Sequence, residues 1–62
     1  MNQFYIDKQN VDVQRCQESM AKSRSITIRG LAVNGQIQVF AGIVQVMELD
    51  LERGRYRVTI RE

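Results

Sequence analysis

A chain of 62 residues with 44% apolar, 26% charged and only 6% aromatic residues has room for one small domain with a thin core. Its single cysteine excludes an internal disulfide, and one cysteine without any histidine supplies too few ligands for a structural zinc site, so a partner chain is the remaining way to add buried surface. The net charge of +2 is unevenly placed: residues 1–23 balance Lys8, Arg15 and Lys22 with Asp7, Asp12 and Glu18, while the rest sets six arginines against four acids.

No stretch is apolar enough to make a transmembrane helix. The opening Met1-Asn2-Gln3-Phe4 has neither the basic nor the apolar region of a secretory signal and lacks the glycine at position 2 that myristoylation needs. These features, with an unpaired cysteine, set a cytoplasmic expectation and none of a membrane partner. The absence of proline and the supply of Val and Ile argue against disorder.

In chain order, Phe4-Tyr5-Ile6 fits either a short strand or a hydrophobic plug. From about residue 10 to 22 the spacing predicts a helix, with Val13, Cys16 and Met20 on one face and Asn10 or Asp12 able to cap its start. Ser23-Arg24-Ser25 ends it. Strands are expected over 25–33 and 36–50, joined at Asn34-Gly35, the dipeptide of a two-residue type I′ hairpin turn. That turn opposes Ala32 to Ile37, Gly30 to Val39, Ile28 to Ala41 and Ile26 to Ile43, all apolar or small and all on one face.

A four-residue loop at 51–54 then pairs the second strand with a third over 55–61. It opposes Met47 to Val58 and Leu49 to Tyr56 on the apolar face, and Glu48 to Arg57 and Asp50 to Arg55 on the other. Gly42 is the expected bend in the long middle strand. The expectation is a single α+β domain over 1–62, an N-terminal segment and one helix packed on a three-stranded antiparallel β-meander. Its core face comprises Ile26, Ile28, Val39, Ile43, Val58 and Ile60.

The reverse face is less polar than a solvated sheet face should be, because Leu31, Val33, Phe40, Val44 and Val46 fall there with Arg29 and Arg61. Either the Phe4-Tyr5-Ile6 segment covers it or another chain does, and the outer strands leave open edges. This is the expected interaction surface, for a homodimer or another protein.

Catalytic chemistry finds little support. Without histidine there is no imidazole base and no Ser-His or Cys-His pair. Cys16 on the helix stripe reads as a small core residue. Glu48, Asp50 and Glu52 alternate as a cation cluster would, but cross-strand pairing with arginines accounts for them better. No glycine pattern cradles phosphate, so no cofactor is expected. The alternative to protein binding is nucleic-acid binding through arginines left without acidic partners, Arg24, Arg29, Arg53 and Arg61, with Arg29 and Phe40 forming an internal cation–π pair instead of a base-stacking platform. The expected function is that of a small non-enzymatic interaction or accessory module, self-associating through its sheet.

Overall fold

The computed structural model describes residues 2–62. They form strand β1 (Asn2–Asp7), helix α1 (Asp12–Lys22) and strands β2 (Ser25–Ala32), β3 (Ile37–Asp50) and β4 (Arg55–Arg61). The α+β class, the single helix and the three C-terminal strands agree with the sequence reading. The strand count does not: Phe4-Tyr5-Ile6 lies in a fourth strand, and that strand closes the sheet into a barrel in the order β1-β2-β3-β4. All pairings are antiparallel. β1 pairs with β4 continuously from Asn2↔Ile60 to Asp7↔Arg55, and with β2 at Phe4↔Ala32 and Tyr5↔Leu31.

Alternation sends Phe4 and Ile6 inward, where they join Cys16, Ile28, Ala32, Phe40, Val44, Val58 and Ile60 in one core. The Phe4 ring stacks on Phe40 with centroids 4.7 Å apart and planes 20° apart. Such a pair contributes about 0.5–1.5 kcal/mol beyond its area burial. Gly30 makes room for it, since a Cβ there would meet Phe4 Cδ2 at 2.5 Å.

The first hairpin departs from the expected register by one residue. Gly35 N–H donates to Ala32 O (2.9 Å) and Ala32 N–H to Gln36 O (2.8 Å), so the loop has three residues, Val33-Asn34-Gly35, with Gly35 at φ 89°. This is a turn followed by a left-handed glycine in place of the two-residue type I′ turn, and Asn34 Oδ1 braces it by accepting from Gln36 N–H (3.0 Å). The pairs become Leu31↔Ile37, Arg29↔Val39, Ile28↔Phe40 and Ile26↔Gly42. A one-residue slip exchanges the faces of a strand. Phe40 (7% exposed) and Val44 (1%) therefore belong to the core, while Val39 (63%) and Ile37 (63%) point to solvent, and Ile26 and Ile43 are only partly buried.

The second hairpin has the expected register from Asp50↔Arg55 to Val46↔Thr59, then shifts to Val44↔Ile60 across a bulge at Gln45. The bulge lies three residues beyond the glycine expected to bend the strand. It changes which parity of β3 faces inward, so Phe40 and Val44 are buried before it and Met47 packs against the core after it. Gly42 has its own role. At φ 146° a Cβ there would run into the backbone carbonyl of Arg61.

Helix α1 begins at Asp12, two residues later than the spacing suggests. Asn10 still organises its start, its Oδ1 accepting from Asp12 N–H (2.8 Å) and its carbonyl from Val13 N–H (3.0 Å). Ser23 ends it in the left-handed conformation at φ 53°. Cys16 and Ser19 are its buried residues, whereas Met20, expected on the inner stripe, is exposed. Ser19 docks the helix: its hydroxyl donates to Arg24 O (2.5 Å) and accepts from Val44 N–H (3.0 Å), a donor lying past the Ser25↔Ile43 pair where β2 begins.

Two outcomes follow. Ser19→Ala should lower stability by about 1–3 kcal/mol in urea unfolding, because Val44 N–H is left buried without an acceptor. Gly42→Ala, which adds a backbone clash to an unfavourable φ, should cost about 2–4 kcal/mol, against about 1 kcal/mol for Gly35→Ala, whose new methyl group meets open space. Equal losses at the two glycines would contradict the close approach of β3 to Arg61.

Candidate functional site

The expected interaction surface is divided by the structure. Phe40 and Val44 are core residues, and Leu31 is partly buried. Val33 (65% exposed) and Val46 (45%) face solvent but sit at different places, Val33 in the β2–β3 loop and Val46 beside the bulge. Arg61 lies at the end of β4, opposite Ile43. The register instead assembles an outer face that the assumed two-residue turn had hidden. Leu31 and Arg29 of β2 stand opposite Ile37 and Val39 of β3, with Val33 at the loop beyond them. The signal that locates this face is the hairpin loop length, since Asn-Gly serves both two- and three-residue loops.

The same face of β3 lies on a strand with free backbone. β2 accompanies β3 from Ile37 to Ile43 on one side, and β4 accompanies it from Ile43 to Asp50 on the other. Over residues 37–41 the β4 side has no strand neighbour among the described residues. The matching gap in β2, whose early residues pair with β3 alone, is partly filled by the helix: Arg15 donates to Asp12 (3.1 Å) and to Thr27 O (3.0 Å). No such group covers residues 37–41 among the described residues, and from Gly30 to Met47 the sequence carries no charge.

The arginines proposed as nucleic-acid contacts do not converge. Arg24 follows the helix, Arg29 is on the outer face of β2, and Arg53 and Arg61 stand at opposite ends of the β4 region, roughly 25 Å of extended chain apart. Arg53 is also not unpaired, because it bonds Asp50 at 3.1 Å. The expected Arg29–Phe40 contact is absent, as Arg29 stands opposite Val39 and Phe40 is inside.

A different set of cations does gather. Arg53, Arg55 and Arg57 line a concavity of about 420 Å³ with Tyr5 and Leu49. Arg57 makes the expected cross-strand pair with Glu48 (2.7 Å), whose hydrogen bond and charge hold the guanidinium more firmly protonated than usual. Asp50 stands opposite Arg55 but bonds Arg53, and that hydrogen bond holds its carboxyl below the usual range. Asp7, opposite Arg55 on the other side, spends its Oδ1 on Gln9 N–H (2.8 Å). Arg55 thus has no carboxylate in bonding distance among the described residues. Its guanidinium lies over Tyr5, 3.9 Å from the ring centroid, and its Nε is shielded from solvent without a hydrogen-bond partner.

Compared with known protein families, curated proteins and solved structures, the chain has no match. Among the described residues no helix is long and apolar enough to cross a membrane.

Cys16 is buried on the inner face of α1, and its thiol is pushed up to about 11, first by burial and then by Asp12, with Arg15 acting in the opposite sense. The unfolded thiol ionises first, so stability should fall as pH rises from its ordinary value of 9.0 towards about 11. Unfolding midpoints measured between pH ~8 and ~10 should decline less steeply in Cys16→Ala than in the parent. The parent thiol should resist alkylation at neutral pH until the chain unfolds.

Proposed function

We propose that this protein is a non-enzymatic interaction module whose partner is a second copy of itself, docked along the β2–β3 hairpin. The observation that carries the reading is the outer face on which Val33, Ile37 and Val39 are 63–65% exposed beside an unaccompanied length of β3. Exposed apolar side chains next to free backbone favour strand addition, in which main-chain hydrogen bonds give affinity and alternate side chains give fit. Edge strands that must stay single are normally protected by lysine, proline or inward charge, and residues 37–41 carry none of these.

The lack of charge also selects the partner. Antiparallel pairing of 37–41 with the same segment across a two-fold axis centred on Val39 brings no like charges together within the paired segment. Arg29 then lies at the rim. A strongly charged partner would find no complement along this edge. The proposed setting is the cytoplasm, consistent with an unpaired cysteine.

Sedimentation equilibrium at micromolar concentrations tests the reading. The parent chain should be a dimer and Val39→Glu a monomer with an unchanged circular dichroism spectrum, since Val39 supports no core contact. A parent chain that sediments as a monomer throughout the range overturns the proposal.

A further inference from the structure

The concavity beside Tyr5 is independent of the hairpin edge and has its own chemistry. Three guanidinium groups line it and only two are matched by carboxylates. Arg53 uses Nη1 on Asp50 and Arg57 uses Nη2 on Glu48, so each retains a second terminal nitrogen without a protein acceptor among the described residues. Arg55 makes no side-chain hydrogen bond among the described residues, and its seat over the Tyr5 ring, 3.9 Å from the centroid, holds it in place. A guanidinium held in place loses less freedom when it binds an oxyanion.

We propose that this concavity binds a phosphorylated small molecule of nucleotide size, with its phosphate on Arg55 and the free donors of Arg53 and Arg57. A phosphate offers three terminal oxygens to three guanidinium groups, whereas a carboxylate offers two. The volume of about 420 Å³ exceeds what a bare phosphate fills and falls in the range of small-molecule sites. Leu49 and the outer face of the stacked Arg55 give an organic group something to pack on. Glu48 and Asp50 also line the site and oppose an anion, so the affinity is modest and charge-limited.

Amide spectra titrated with adenosine monophosphate, inorganic phosphate and adenosine read this directly. Adenosine monophosphate should shift Tyr5 and residues 53–57, more weakly as salt rises. Inorganic phosphate should move the same signals with lower affinity, and adenosine should not move them. Arg55→Gln should weaken adenosine monophosphate binding about tenfold or more. Asp50→Asn, which keeps an oxygen for Arg53 N–H while removing a negative charge, should strengthen it several-fold.

Equal binding of adenosine, shifts located elsewhere, or full affinity in a folded Arg55→Gln would overturn the site. If Arg55→Gln does not fold, the Asp50→Asn result decides, and no gain in affinity counts against the proposal. Inorganic phosphate binding as tightly as the nucleotide overturns the assigned size. A single-stranded oligonucleotide that binds far more tightly, with shifts extending to Arg24, Arg29 and Arg61, replaces the small-molecule site with a nucleic-acid surface.

Discussion

The barrel is held shut by β1, whose pairing with β4 runs unbroken from Asn2↔Ile60 to Asp7↔Arg55 and whose side chains fill the space between β4 and β2. Phe4 is the centre of that closure. Its ring is fully buried, stacks on Phe40 and lies over Gly30, where any larger residue would displace it. A three-stranded meander with one helix would expose Phe40, Val44 and Ala32, and a chain this small has no other element to cover them. The fold therefore rests on one aromatic side chain from the strand whose sequence signal is shortest.

The second constraint is that β3 serves two neighbours on opposite sides. It follows β2 as far as Ile43 and then β4, and a strand doing both must bend strongly enough for the sheet to meet itself. Gly42 permits the close passage over Arg61, and the bulge at Gln45 re-aims the side chains beyond it. Where β2 runs out, Ser19 takes over and gives Val44 N–H the acceptor that a strand would have supplied. The helix is thus joined to the barrel at the point where the barrel's own hydrogen bonding stops.

These two features separate what was legible in the residues from what was not. The single helix and the antiparallel strands after it followed from alternation, from the helical spacing of Val13 and Cys16, and from Asn34-Gly35, whereas the fourth strand, β1, did not. The register of the second hairpin followed from the four-residue loop at 51–54 and was supported by the opposed charges of Glu48 and Arg57, and it holds as far as Val46↔Thr59. The first hairpin had no charges to fix it. Every residue from Gly30 to Met47 is neutral, so a two-residue and a three-residue loop both give apolar pairs, and only a change of parity at Gln45 distinguishes them. Phe40 and Val44 were assigned to the interaction face for that reason, and because β1, which covers them, was left open between a strand and a plug. The arginine concavity was hidden differently: Asp50 lies opposite Arg55, yet it turns to Arg53 three residues on, a local preference that pairing across strands does not reveal.

The order of these elements along the chain sets how the fold is completed. β1 stands first in the order of elements, but its long pairing is with β4, and the helix and the whole β2–β3 hairpin lie in between. Closing so large a loop costs chain entropy before any contact repays it, and folds dominated by such distant pairings form slowly. Until Arg55–Arg61 pairs with β1, Phe4 has no permanent shelter and the neutral stretch from Gly30 to Met47 stands open. Docking of β1 on β4 is thus the step at which a sticky chain becomes a closed domain, and any delay there lengthens its exposure to other copies of itself.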